Sequence, residues 1–505
     1  MTRELLFGAY SPARICFPPL LVALALLSAG CLLGNTRPSL PRNFPRDAAM
    51  RGKNPIIIVP GVLGSALINR ETGEKAWPSL SDSADDTIEM PIGGATLADN
   101  SDRLIAGDML ETAKFSSLLP EISVYDGLVA ALQRFGAYQR GSFENPPDNG
   151  AEDTFYVFAY DWRRDNVESA RLLGRRIREL KEKLGRPDLR FDIIAHSMGG
   201  LVARYYAMYG EEDLPAGAPP EITWAGARHL RRLILMGTPN AGSMDAFRTV
   251  TLGYSITGTN QVRLAWLEPL GVNAVYTIPS LYQLLPRNGN TRFLDEKLAP
   301  LHLNLYDIEV WRKYKWSAVF NVRLDRKRKK ELEKAGGQDA VFREMSRISD
   351  ERAVFLRRAL ARAAAFHQAI DQPATLPDSL RLYLYGGDCE DTLDAAVIIP
   401  DSKKDAPVTL FRPTRALGSR GFRNQAYRMM FAPGDTRVTR RSLFGLSFEP
   451  EQLSGQMKEA GNGDGARAMK QEPFQALFDC EIHGDLPLNE RVLNNLLTML
   501  LGNRY

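Results

Sequence analysis

The segment Phe191-Asp192-Ile193-Ile194 runs straight into Ala195-His196-Ser197-Met198-Gly199-Gly200 and then into an apolar helical stretch, Leu201 to Tyr209. This succession constrains the fold more than any other feature of the chain. A buried strand that turns into a helix within a few residues forces the residue at its tip into strained dihedrals, and the positions two before and two after must be small for strand and helix to approach. Ala195 and Gly199 meet that requirement. Ser197 at the tip reads as a nucleophile, in an A-x-S-x-G form of the pentapeptide; alanine in place of the usual first glycine adds one methyl group, which the steric argument tolerates.

The surrounding pattern is an alternation of strand and helix. Pro55 to Val59 is a continuous β-branched run that stops at Pro60-Gly61, and Thr154 to Tyr160, Leu233 to Met236 and Leu382 to Tyr385 read as further strands. Such runs suit strands buried on both faces of a parallel sheet. Between Val167 and Leu184 the apolar positions Val167, Ala170, Leu173, Ile177, Leu180 and Leu184 recur at three and four, which predicts an amphipathic helix ended by Gly185 and Pro187. Val492 to Leu501 reads as a closing helix. The fold class is α/β, an α/β-hydrolase fold with a mostly parallel sheet, helices on both faces and an inserted helical cap.

The length of 505 residues, at 44% hydrophobic and 25% charged, leaves ample core and excludes disorder, collagen and a multi-span membrane protein. Residues 1–31 read as a signal peptide: Arg3 and Arg14 precede the apolar run Leu20 to Leu27, and Ser28-Ala29-Gly30-Cys31 resembles a lipobox whose Cys31 is lipidated; cleavage without lipidation and an uncleaved anchor are the alternatives. Residues 32–52 read as a tether. The core then occupies 53–240, with a polar insertion at 76–124, and 380–505, on either side of a helical cap at 241–379. The expected location is the cell envelope, as an exported, membrane-anchored lipoprotein, so Cys389 and Cys480 either pair in an oxidising compartment or stay as two buried thiols. Arg326-Lys327-Arg328-Lys329-Lys330 reads as a solvated helix face, with contact to anionic lipid as the alternative. With 64 basic against 60 acidic residues the net charge of +4 does not argue for nucleic acid.

An oxyanion hole beside Ser197 needs two backbone amides: Met198, at the start of the helix, and Val62, in the loop Pro60-Gly61-Val62-Leu63-Gly64 after the first strand. In this fold the triad runs serine, acid, histidine along the chain. Of the five histidines, His196 lies within the elbow, His229 between a helix and a strand, and His302 and His367 in the cap. His483, ahead of the last helix, stands where a base is expected. For the acid, Asp388 and Asp391 follow the strand Leu382 to Tyr385 and Asp435 follows a later segment; position leaves the three open.

Four segments together resemble the lecithin:cholesterol acyltransferase family, which includes lysosomal phospholipase A2 and the phospholipid:diacylglycerol acyltransferases. They are Ile57 to Ser65, Tyr160-Asp161-Trp162-Arg163, Ala195 to Gly199, and Gly434-Asp435-Thr436-Arg437-Val438-Thr439. The cap segment Thr277 to Pro286 is similar to the family's stretch containing Pro-Ser-Leu. The resemblance implies Asp435 as the acid, although Thr436-Arg437 stands where the family has Gly or Asp and then Thr. It also implies an acyl-enzyme on Ser197 formed from a lipid ester at a membrane surface, with transfer to water or an alcohol, and no metal or organic cofactor. A carboxylesterase for small esters and a non-catalytic envelope lipoprotein are the alternatives. Asp161-Trp162-Arg163 reads as a structural corner near the site, with contact to substrate as the alternative.

Overall fold

Seven parallel strands form the central sheet of the computed structural model: β1 (Ile56–Val59), β2 (Gln139–Arg140), β3 (Thr154–Val157), β4 (Phe191–His196), β5 (Leu230–Met236), β6 (Arg381–Gly387) and β7 (Phe474–Phe478). Their order across the sheet is β2-β3-β1-β4-β5-β6-β7. The structure describes residues 40, 44, 52–78, 87–113, 122–215, 217–254, 270–320, 322, 324, 326–401, 406–446 and 473–502. The expected signal segment, Cys31 and all of the tether save residues 40, 44 and 52 lie outside them. Among the described residues no helix is long and apolar enough to cross a membrane.

The sheet is apolar on both faces because alternate side chains point to opposite sides. Ile57 and Val59 pack into one cluster with Leu173, Ile177, Leu201 and Val202; Ile56 and Ile58 pack into the other with Leu128, Leu132, Leu493 and Leu496. The first cluster is covered by α2 (Asn166–Lys183) and α3 (Met198–Tyr209), the second by α1 (Asp126–Arg134) and α6 (Glu490–Leu501). The apolar repeat read between Val167 and Leu180 is the buried face of α2, whose first turn is capped by the Asp165 side chain on the Val167 amide, 3.0 Å away. This is the α/β-hydrolase architecture. The chain runs outward on one side of β1 and then returns to β4 on its other side, so the carboxyl ends of β1 and β4 meet where the strand order reverses, the place at which open α/β sheets bind ligands.

The two-residue strand β2 carries no apolar run and escaped the sequence reading. β7 is longer than the Ala476 to Phe478 segment that announced it. Part of the 76–124 insertion folds as strands: Lys75–Trp77 and Leu104–Met109 flank Ser65–Asn69 in an antiparallel sheet. Residues 241–379 begin with α4 (Met244–Leu252) and end with α5 (Arg326–Ile370), which is interrupted at Gly336 and at Gly337, whose φ is 64°. Far from standing apart, α5 joins the core: Phe366 stacks on Tyr205 of α3 at 6.0 Å, and the Tyr209 hydroxyl donates to the Ala369 carbonyl at 2.8 Å. Residues 326–330 are exposed on the first turns of α5.

Candidate active site

Ser197 joins β4 to α3 with φ 52° and ψ −126°, a conformation that costs an L-residue about 1–3 kcal/mol and persists only where the surroundings impose it. The surroundings do so on both sides. Its amide donates to the Met236 carbonyl of β5 at 2.8 Å, and its carbonyl accepts from Gly200 at 3.0 Å. The steric demand is met with nothing to spare: a Cβ on Gly199 would lie 2.6 Å from the Val59 carbonyl oxygen, and one on Gly61 would lie 2.8 Å from the Ser197 Cβ.

The loop after β1 is a tight turn against that tip. The Gly64 amide donates to the Gly61 carbonyl at 3.1 Å, Leu63 takes a positive φ of 64°, and the Trp77 indole N–H holds the Leu63 carbonyl at 2.9 Å. Val62 and Ser197 thereby line one cavity.

His483 follows β7 and reaches Ser197 across 286 residues of chain. Its Nε2 lies 2.8 Å from the Ser197 Oγ and its Nδ1 2.8 Å from the Asp435 Oδ2. The other carboxylate oxygen of Asp435 accepts from the amides of Val438 at 2.7 Å and Arg437 at 3.0 Å. The His483 amide donates to the Asp435 carbonyl at 2.7 Å, so backbone and ring are held by the same residue. Asp435 is fully buried. It sits there because Phe431–Gly434 pairs antiparallel with Glu390–Leu393, directly beyond β6, and because the Thr392 hydroxyl takes the Thr436 amide at 2.8 Å. Asp388 and Asp391 face elsewhere: Asp388 pairs with Arg440 at 3.2 Å, and the exposed Asp391 accepts from the Tyr427 hydroxyl.

The remaining histidines stand as follows. His302 is exposed. His229 meets the Lys181 ammonium at 2.9 Å, and its pKa is lowered by burial and by that cation. His367 is buried between the Tyr306 hydroxyl at 2.6 Å and the Gln283 carbonyl at 2.8 Å, and burial holds it neutral. His196 belongs to the site. Its Nδ1 lies 2.8 Å from the Tyr125 hydroxyl, its Nε2 3.1 Å from the His483 carbonyl, and its ring centre 4.9 Å from that of His483. Burial, together with the neighbouring His483, pushes its pKa down to about 3.

The cavity over Ser197 encloses about 590 Å³. Leu63, Trp77, Leu110, Trp162, Leu281 and Leu284 give it apolar lining, and Asp245 and Arg437 line it as well. Burial works to raise the Asp245 pKa, but the guanidiniums of Arg248 at 2.9 Å and Arg437 at 2.6 Å outweigh it and bring the carboxyl to about 2. Asp161-Trp162-Arg163 is the corner that holds this lining. Arg163 is buried between Asp161 at 2.8 Å and Asp102 at 2.6 Å, and the Trp162 indole N–H donates to the Ser65 carbonyl at 3.1 Å. The Ser280 hydroxyl of the Pro-Ser-Leu stretch donates to the Trp162 carbonyl at 2.6 Å. Cys389 and Cys480 form a disulfide. Tyr125, Thr392 and the Asp245–Arg437 pair went unread in the sequence, since no local pattern marks them.

Residues 143–317 match the model of the lecithin:cholesterol acyltransferase family. No curated protein matches the chain. Among solved structures, the crystal structure of the Tle4-Tli4 complex is similar at a TM-score of 0.43 and 12% identity, over 90% of this chain and 99% of that one. Residues 143–317 carry the β4 strand, Ser197 and α3, so this part of the chain is similar to the lecithin:cholesterol acyltransferase family.

Proposed function

We propose that the protein is a serine-dependent lipid acyl-ester hydrolase or O-acyltransferase that works through an acyl-enzyme on Ser197. The observation that carries this reading is the unbroken relay from Ser197 Oγ through the His483 ring to Asp435, at the base of a largely apolar cavity. His483 Nε2 takes the hydroxyl proton as Oγ attacks the ester carbonyl. Asp435 holds the ring in the tautomer that accepts at Nε2 and stabilises the imidazolium that forms. The amides of Met198 and Val62 receive the charge on the carbonyl oxygen. His483 then returns the proton to the departing alcohol, leaving the acyl group on Ser197. Water or a second alcohol, deprotonated by the same ring, takes the acyl group off.

Whether water or an alcohol is the acceptor depends on which reaches the acyl-enzyme. Purified protein is incubated with mixed phospholipids and a long-chain alcohol. A new ester in addition to fatty acid marks a transferase; fatty acid alone marks a hydrolase. Labelling by a fluorophosphonate that is no stronger on wild type than on Ser197→Ala overturns the serine mechanism. Turnover confined to short soluble esters and indifferent to lipid overturns the lipid substrate.

Export to the cell envelope, with a lipid anchor at Cys31, is part of the same proposal. The Ser28-Ala29-Gly30-Cys31 pattern and the Cys389–Cys480 bond support it. Mass spectrometry of the mature N-terminus tests it: a chain that still begins at Met1 refutes it.

A further inference from the structure

Two side chains outside the relay tie its parts together. Tyr125 immediately precedes α1, and its hydroxyl accepts from the Gly61 amide at 2.9 Å and lies 2.8 Å from His196 Nδ1. His196, the last residue of β4, meets the His483 carbonyl through Nε2 at 3.1 Å. Each proton has one consistent place. A carbonyl can only accept, so His196 Nε2 carries the hydrogen. In a neutral ring Nδ1 then accepts, so the Tyr125 O–H donates to it, and the phenol oxygen is left to accept from Gly61.

We propose that Tyr125 and His196 are positioning residues: their directed hydrogen-bond chain, Gly61 N–H to Tyr125 O–H to His196 to the His483 carbonyl, sets the loop bearing Val62 and the base His483 in register with Ser197. The chain spans all three segments that have to meet in the transition state, namely the turn after β1, the end of β4 and the loop after β7. It completes the hold on His483, whose amide is already bound to Asp435. The geometry suits the purpose. Both side chains are rigid rings, Tyr125 is 2% exposed, and its ring meets that of His196 edge-on at 5.6 Å. Burial of both groups favours the neutral forms on which the direction of the chain depends: the tyrosine pKa is raised and the histidine pKa lowered.

The inference rests on the serine mechanism proposed above, and its test separates the two. Full-length Tyr125→Phe, His196→Leu and the double variant are assayed on one chromogenic ester beside wild type and Ser197→Ala. Loss of alignment lowers kcat about 10- to 100-fold in each single variant, a larger change than the one in KM, which the loss of cavity-lining contacts alone would move instead. The double variant falls no further than the weaker single one, because both break the same chain. A Tyr125→Phe kcat within about twofold of wild type, or multiplicative losses in the double variant, overturns the proposal. A readout free of turnover is the ¹⁵N shift pattern of the wild-type histidines at about pH 5, where an ordinary histidine is charged. A neutral His196 protonated at Nε2 supports the chain, and a charged or Nδ1-protonated His196 overturns it. Equal turnover by wild type and Ser197→Ala overturns the serine mechanism instead, leaving the tautomer as the test of the chain.

Discussion

Asp435 has both carboxylate oxygens engaged, one by two backbone amides and one by the His483 ring. An asparagine there keeps the shape but presents an N–H₂ group either to those amides or to the ring, and in the second case favours the tautomer that cannot accept from Ser197. Asp435→Asn is expected to lower kcat by about 10³- to 10⁴-fold, while Asp388→Asn and Asp391→Asn stay within about twofold of wild type, in steady-state ester hydrolysis. A large loss in either of the latter two would reassign the acid. Position along the chain left the three aspartates open because a carboxylate in a turn after a strand is ordinary, and only the family resemblance pointed to Asp435. What separates them is a contact between residues 48 apart. Ser197 lies at the other extreme, since the small residues that reveal it are within two positions of it.

At the scale of elements the site depends on how tightly β1, β4 and α3 approach. Gly199→Ala places a methyl group against the Val59 carbonyl and is expected to cost about 1–3 kcal/mol in urea unfolding, by overpacking. An unchanged unfolding midpoint would show that the elbow relaxes freely. The disulfide is a second such device, and the register of β6 and β7 explains it. Gly387 pairs with Phe478, so Cys389 and Cys480 each lie two residues beyond the last rung, with Cα atoms 4.7 Å apart. The bond closes a sequence separation of 91 residues and ends three residues before His483. The Cys389→Ser, Cys480→Ser double variant is expected to lose about 2–4 kcal/mol in the same unfolding assay. Equal stability with and without reductant would contradict it. The sequence left pairing and two buried thiols open because the pairing depends on that register.

Across the whole molecule, acid is the expected weakness. His367 is buried and His196 half-buried, both neutral with pKa values below the unfolded value near 6.5, and His229 is shifted the same way. A base whose folded pKa is lowered binds its proton first in the unfolded chain. Its stabilisation is therefore complete above about pH 6.5 and is lost as pH falls toward the folded pKa, at about 1.4 kcal/mol per unit for each fully buried ring. The melting temperature should drop steadily between pH 7 and pH 4, as scanning calorimetry measures, and His367→Gln should flatten that slope. A level profile for wild type would mean that these rings are protonated in the folded protein.

The sequence by itself determined what neighbours along the chain can decide: the apolar runs of β1, β4 and β5, the amphipathic face of α2, the serine at the elbow, and a base placed after the last strand. Those follow from the periods of strand and helix and from short-range steric exclusion, which leave marks within a few residues. Only the tertiary structure brought Asp435, the aspartate that the family resemblance implied, against the His483 ring, and only it decided the pairing of Cys389 with Cys480, the strand Gln139–Arg140, and the joining of Tyr125, His196 and His483 into one chain of hydrogen bonds. Each of these is a contact between segments from 15 to 287 residues apart, fixed by strand order and register, and no local composition encodes such a meeting.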